Sequence, residues 1–298
     1  MTIWREVESG KVVELPALKK LYRVVMELGS GGQGTVHLVM GSKLLAAKSL
    51  PEAAQRELRV MLKLAGCQGT IQLYDVVLEE DRKFKGGRWW GTLILELGSC
   101  TLSERLHKAG GKMEEQEAAF VVKSLAEALE RVHSLGVVHR DVKLDNVLLT
   151  RLLPPYEVKL ADFGLATDVA EDMHENCGTN GYISPDVLRA GKDGWPFYYT
   201  KAVDLWGLGL IAYELVTGWG VFSNVFDVEC FLKSAGDAEV ERALKWGGGV
   251  SKEARELILG MLKVNPEQRL TVEEVIRHPW VVENTDRTGP VEKKQRTL

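Results

Sequence analysis

Several things are scarce in this sequence, and each scarcity removes a class of protein. Long apolar runs are missing: the most apolar stretch, residues 205–216, is too short to span a bilayer and carries Glu214. It reads as a buried core helix, and the chain is expected to be soluble. Cysteine is sparse: Cys67, Cys100, Cys177 and Cys230 lie far apart and form no CxxC pair. That argues against a zinc site or a disulfide framework and suits a reducing compartment, cytoplasmic and/or nuclear. Charge of one sign is not in excess: the net charge is −4 and the pI is near 6.0. Nothing therefore draws the chain toward nucleic acid or an anionic membrane, and neither is expected as a partner. Residues 1–11 mix Arg, Glu and Lys and lack the apolar segment of a signal peptide. No internal repeat is visible. What remains is an ordinary globular composition, 45% hydrophobic and 27% charged, over 298 residues. That length fits one large domain or two lobes sharing a cleft, and the chain is expected to be a monomer.

The pattern changes along the chain. Residues 22–50 alternate apolar and polar in short runs broken by glycines, as strands do. Residues 52–64 place Ala53, Leu58, Met61, Leu62 and Leu64 at helical spacing, and two further strands are predicted around 70–79 and 90–97. After Leu102 the pattern turns helical. Residues 114–134 form the clearest amphipathic helix, with Ala118, Val121, Val122, Leu125, Leu129 and Val132 on one face. Further helical stretches are predicted at 201–217, 225–234, 251–263 and 271–279. A strand-rich small lobe before a helix-rich large lobe places a cleft at their junction. Residues 284–298 are polar and charged and read as a disordered tail.

Chemistry-bearing residues cluster in that order. Gly29, Ser30, Gly31, Gly32, Gln33, Gly34, Thr35 and Val36 form a glycine-rich stretch whose backbone N–H groups can approach anionic oxygens. It is not a Walker loop, because Thr35-Val36 rather than Lys-Ser/Thr follows Gly34. It is not a Rossmann fingerprint either, because a strand follows the glycines where a helix should start. Ala46-Ala47-Lys48 lies on the third strand, and Glu57 on the next helix offers a counter-ion for Lys48. The densest signal is residues 139–146, HRDVKLDN, in a loop between the amphipathic helix and an apolar strand. A loop tolerates such charge where water or ligand satisfies it. Asp141 can accept a proton from a hydroxyl, Lys143 can neutralise a transferring phosphoryl group, and Asn146 offers an oxygen to a hard cation. Sixteen residues after Asn146 comes Asp162-Phe163-Gly164.

In this order, the glycine loop, Lys48, Glu57, the HRD loop and DFG resemble the signature set of the eukaryotic protein kinases, over roughly residues 20–283. The resemblance implies an α+β, bilobal kinase fold: a small antiparallel-sheet N-lobe with helix C, about 20–97, and a larger, mostly helical C-lobe, about 99–283. The kinase domain would occupy 1–283. It implies a Ser/Thr kinase using ATP and Mg2+ to phosphorylate protein substrates. Leu28, Val36, Ala46 and Leu148 would sandwich adenine, Leu95 would stand at the gatekeeper position, and the backbones of Glu96 and Gly98 would hydrogen-bond the base. Lys48, held by Glu57, would bind the α- and β-phosphates. Asn146 and Asp162 would hold magnesium, Asp141 would be the catalytic base, and Thr179 would brace Asp141 and Lys143. Lys143 and Thr179 resemble Ser/Thr rather than tyrosine kinases, and the wording of residues 139–146, 177–188 and 202–215 is most similar to the calcium/calmodulin-kinase-related group.

Three departures from the family pattern stand out. Glu57 follows Lys48 by only nine positions, so the first turns of helix C must be trimmed, although nine residues still reach ~30 Å when extended. Asp186 replaces the usual Glu of the Ala-Pro-Glu motif, and its shorter arm is expected to reach toward Arg269. Gln33 replaces the aromatic common at the tip of the glycine loop. Between Asp162 and Cys177 the one hydroxyl is Thr167. Arg140, which in related kinases is neutralised by a phosphorylated residue, is therefore expected to pair with Glu171, Asp172 or Glu175. The rival reading is a pseudokinase or scaffold acting by binding, for which the shortened helix is the one supporting feature.

Overall fold

The computed structural model describes residues 5–8, 11–14, 22–31, 34–50, 55–81, 88–168, 173–192, 194–222 and 228–286. Gly32, Gln33, Glu171, Asp172 and the tail from 287 onward lie outside them. A short antiparallel hairpin, β1 (Arg5–Glu8) with β2 (Lys11–Glu14), precedes the main sheet.

Five antiparallel strands follow: β3 (Arg23–Gly31), β4 (Gly34–Met40), β5 (Leu44–Leu50), β6 (Leu73–Asp81) and β7 (Arg88–Leu95), in the order β3-β4-β5-β7-β6. Opposed residues in such a ladder share a face, so register sorts the side chains. Val39 opposes Leu45 and Ala47 opposes Ile94, and these four make a small core of their own. On the other face Lys48 opposes Val36 and Leu93, and Ala46 opposes Leu38 and Leu95. One helix, α1 (Gln55–Lys63), belongs to this lobe. It contributes Val60 and Met61, with Leu64 just beyond it, to the main core, which also takes Leu50 and Leu93 from the sheet.

The second lobe is helical. α2 (Leu102–Lys108) starts on a capping box between Thr101 and Glu104. α3 (Glu115–Ser134) buries the whole face anticipated from its spacing. α4 (Pro185–Arg189), α5 (Ala202–Thr217), α6 (Val228–Ser234), α7 (Asp237–Ala243), α8 (Lys252–Met261), α9 (Val272–Arg277) and α10 (Pro279–Asp286) complete it. Between α3 and α4 run short strands. β10 (Val147–Leu149) pairs with β8 (Cys100–Thr101) and β11 (Val158–Leu160); β9 (Val137–Val138) pairs with β12 (Thr167–Asp168). α5 is buried almost all round, as its unbroken apolar run requires.

The 271–279 stretch ends one helix and begins another. His278 precedes Pro279 and adopts extended backbone, ψ 138°, as a residue before proline prefers. α10 then carries the fold to Asp286, so residues 284–286, expected in the tail, are helical. Among the described residues no helix is long and apolar enough to cross a membrane.

Candidate active site

The site lies where the face of the sheet carrying Lys48 meets the loops of the helical lobe. Lys48 is nearly buried, and its Nζ donates to Glu57 Oε1 at 2.6 Å and to Asp162 Oδ1 at 2.8 Å. The trimmed helix therefore still delivers Glu57 to Lys48. Burial works against the ammonium, but the charges of Glu57 and Asp162 more than offset it and raise the Lys48 pKa. Burial also pushes the Glu57 carboxyl up against the pull of Lys48.

Register explains the apolar lining. Ala46, Val36 and Leu95 are on the Lys48 face, while Leu28 sits at a break in the β3–β4 register and is exposed. Leu148, on β10, packs against Gly98. Glu96 N already donates to Gln72 O at 2.8 Å, which leaves its carbonyl as the backbone group it can offer. In the glycine loop Gly29 opposes Val36, Ser30 opposes Thr35 and Gly31 opposes Gly34. Gly34 has φ 118°, a conformation that only glycine adopts readily. The Ser30 and Thr35 hydroxyls lie 3.1 Å apart.

Below the cleft, Asp141 is fixed from three sides. Lys143 Nζ donates to Oδ2 at 2.8 Å, Thr179 donates to Oδ1 through N at 3.0 Å and Oγ1 at 2.7 Å, and Asn146 Nδ2 donates to Oδ2 at 2.8 Å. Lys143 also donates to the Thr179 hydroxyl. Burial would raise the Asp141 carboxyl, but the hydrogen bonds from Lys143 and Thr179 outweigh it and hold it below its ordinary range. Asn146 and Asp162 become neighbours through the β10–β11 hairpin, in which Val147 opposes Leu160 and Ala161 N donates to Asn146 O at 2.8 Å. Asp162 and Arg140 have φ of 59° and 66°, a left-handed conformation that costs a non-glycine residue about 1–3 kcal/mol and persists where surroundings enforce it.

At Arg140 the enforcing group is Asp204, at the head of α5. Fully buried, it accepts from His139 N at 2.9 Å, Arg140 N at 2.8 Å and His133 Nε2 at 2.8 Å. Burial alone would raise this carboxyl; the bonds from His133 and His139 hold it low. His139 in turn packs edge-on against the buried Phe163, ring centroids 4.8 Å apart. A carboxylate heading an apolar helix is a signal legible in the sequence, since such a group is rarely buried without partners.

Asp186 does reach Arg269, Oδ1 to Nη2 at 2.9 Å, while its Oδ2 finds no partner among the described residues. Of the three acids weighed for Arg140, Glu175 makes the contact, at 3.2 Å. Two residues not singled out from the sequence also face the site. Arg56 joins α1 to Glu175. Glu214, which accepts from Tyr182 OH at 2.9 Å, lies close enough to Asp145 for its carboxyl to feel that charge. Burial first, and Asp145 second, push the Glu214 pKa up to about 7 although the Tyr182 hydrogen bond pulls it down.

Residues 22–281 match the protein kinase domain family. Over 283 residues the chain is 31% identical to the Dictyostelium discoideum protein named "Probable myosin light chain kinase", covering 91% of this chain and 86% of that protein. It is 31% identical over 294 residues to MAP kinase-activated protein kinase 2 of Oryctolagus cuniculus, covering 94% and 77% of the two chains. It is 30% identical over 271 residues to calcium/calmodulin-dependent protein kinase type 1 of Caenorhabditis elegans, covering 90% and 73%.

Proposed function

The chain belongs to the protein kinase family and is a protein serine/threonine kinase, and from that premise we propose that its own catalytic machinery is complete. The observation that carries this reading is the single ammonium of Lys48 held between Glu57 and Asp162, groups from three separate segments. An ammonium oriented in this way in a cleft suits phosphate oxygens.

In this reading Lys48 holds the α- and β-phosphates while the glycine loop covers them. Leu28, Val36, Ala46, Leu95 and Leu148 enclose adenine, with the Glu96 carbonyl and the Gly98 N–H on its edge. Asn146 and Asp162 suit magnesium: both supply oxygen, and the β10–β11 hairpin brings their segments together, with Ala161 N bonded to Asn146 O. Magnesium binds through few protein ligands and takes others from phosphates, and when bound it neutralises phosphate charge. Asp141 is ionised at neutral pH and orients the substrate hydroxyl. Its depressed pKa makes it a late proton acceptor, which suits a loose phosphoryl-transfer transition state. Lys143 faces the phosphoryl group, and Thr179 keeps Lys143 and Asp141 in one geometry.

Substrates are protein Ser or Thr residues with a moderate preference for an upstream basic residue. Asp145 and, on α5, Glu214 supply the acidic groups for it. Four free thiols support a cytoplasmic or nuclear setting, and the kinase acts as a monomer.

Lys48→Met and Asp162→Ala are each expected to abolish transfer from radiolabelled ATP to a generic acceptor while thermal unfolding stays cooperative. Near wild-type turnover in either would show that the ATP site is misplaced. A folded wild type that neither binds nucleotide nor transfers phosphate would be a kinase-shaped binding module.

A further inference from the structure

Three elements converge on Glu175. Its carboxylate receives Arg56 Nη1 at 2.9 Å, Arg56 Nη2 at 3.2 Å and Arg140 Nη2 at 3.2 Å. Its carbonyl accepts from Tyr199 OH at 2.8 Å, and that hydroxyl accepts from Arg140 Nη1 at 3.0 Å. Arg140 Nε donates to Leu165 O at 2.7 Å. Arg56 directly precedes Glu57, and Arg140 directly precedes Asp141. One carboxylate thus joins the neighbours of the lysine's counter-ion and of the proposed base.

The shortness of α1 gives this contact its weight. The helix has nine residues and begins at Gln55, so Glu57 sits in the first turn. First-turn residues lack the hydrogen bonds a preceding turn would accept, and helix ends fray. A bidentate Arg–carboxylate fork fixes both distance and orientation. Placed on Arg56, it anchors the turn that carries Glu57. Lys63, at the other end of α1, donates to Asp168 Oδ2 at 2.5 Å, so both ends of the helix are tied to the segment after Asp162. That segment offers no modification site to do the same work: residues 168–177 contain no Ser, Thr or Tyr, and Thr167 is 1% exposed within β12.

We propose that Glu175 is a positioning residue that holds α1 and the catalytic loop in their working arrangement, and that the domain is therefore competent without phosphorylation of this segment. The proposal deepens the kinase reading above and rests on it. Glu175 stays charged at neutral pH, since the hydrogen bond from Arg56 outweighs its partial burial and lowers its pKa.

The test uses the full chain made in bacteria, assayed before and after phosphatase with radiolabelled ATP, magnesium and histone, alongside hydrogen–deuterium exchange of residues 55–63. Phosphatase should leave wild-type kcat within about twofold, whereas Glu175→Ala and Glu175→Gln should each lower kcat by about tenfold or more. Both variants should unfold at nearly the wild-type temperature and exchange faster over residues 55–63, and Glu175→Asp should restore part of the rate. Arg56→Ala should also slow turnover, and adding it to Glu175→Ala should cost little more, because both act through one contact. Loss of wild-type activity on phosphatase treatment, a Glu175→Ala variant at wild-type kcat, or full additivity with Arg56→Ala would each overturn the proposal. A wild type that transfers no phosphate would sink the kinase reading instead. The exchange measurement still decides the positioning role in that case: unchanged protection of 55–63 in Glu175→Ala refutes it, and faster exchange supports it.

Discussion

Asp204 under the catalytic loop and Glu175 beside α1 make the same kind of contact in opposite surroundings. Each is one carboxylate gathering donors from separate segments. Asp204 has no exposed side-chain surface, and its partner His133 is 2% exposed. Glu175 is 42% exposed and Arg56 38%, and Lys63 and Asp168 at the far end of α1 are similarly open. A buried carboxylate cannot lose a partner without being left unsatisfied, whereas an exposed one exchanges its partner for water. The large lobe therefore builds its part of the site into its stability. In the small lobe the Lys48–Glu57 pair is buried in the same way, and it is the tethering of α1 to the segment after Asp162 that rests on exposed ties contributing little to folding.

The comparison fails first, if it fails, at Asp204→Ala. Removing that carboxylate strands His133 and two backbone N–H groups, and should cost about 3–5 kcal/mol, as breaking a buried charged contact typically does. Lys63→Ala should cost under about 1 kcal/mol by the same thermal-unfolding measurement. Equal losses would erase the distinction between the buried and the exposed ties.

Gly207→Ala comes next. A Cβ there would stand 2.5 Å from the carbonyl oxygen of Val142, so α5 and the catalytic loop would have to separate. A loss of about 1–3 kcal/mol with a sharp fall in kcat is expected, as for other overpacked sites. Unchanged kcat would mean that the loop does not depend on its seat against α5.

Salt sharpens the contrast without any mutation. Raising ionic strength from about 0.05 to 0.5 M shortens the screening length severalfold. Hydrogen exchange over 55–63 should speed up while residues 139–146 stay protected. Equal responses in both segments would contradict the assignment of exposed ties to the ends of α1 and buried ties to the loop over Asp204.

The smallest effect is a matter of pH, and its sign differs between groups. Asp141, Asp204 and Glu175 have folded-state pKa values lowered below their ordinary ones. The stability they contribute is complete above the usual carboxylate range, about 4, and is lost as pH falls through the depressed values. Glu214 runs the other way: its pKa rises from 4.5 to about 7, so its burial costs nothing below the ordinary value and costs most above about pH 7. Its charge, and with it any preference for an upstream arginine in a substrate peptide, should grow between pH 6 and 8. Peptide pairs with and without that arginine would show the change in KM, and Glu214→Gln should flatten it. A preference independent of pH would remove Glu214 from substrate recognition.

Much of this was legible in the linear sequence because it depends on near neighbours. The faces of α3 and β5 follow from local spacing, since periods of 3.6 and 2 are set by backbone geometry within a few residues. The order of glycine loop, Lys48, Glu57, HRD loop and DFG was equally visible, and so was the family. Boundaries were less so: the β1–β2 hairpin has no strong apolar alternation, and α10 restarts after a proline that locally reads as an ending.

What the sequence by itself determined was which groups exist and which faces of helices and strands they occupy. Folding decided which of them meet. Glu171, Asp172 and Glu175 were equivalent as letters; Glu171 and Asp172 lie outside the described residues, and Glu175 meets two guanidinium groups that reach it from 119 and 35 residues away. Glu214 became a neighbour of Asp145 in the same way. Hydrogen bonds and charge pairs act over a few ångströms of space regardless of separation along the chain, so local pattern cannot choose among them; the packing of α5 under the loop and the contacts of α1 with Asp168 and Glu175 make that choice.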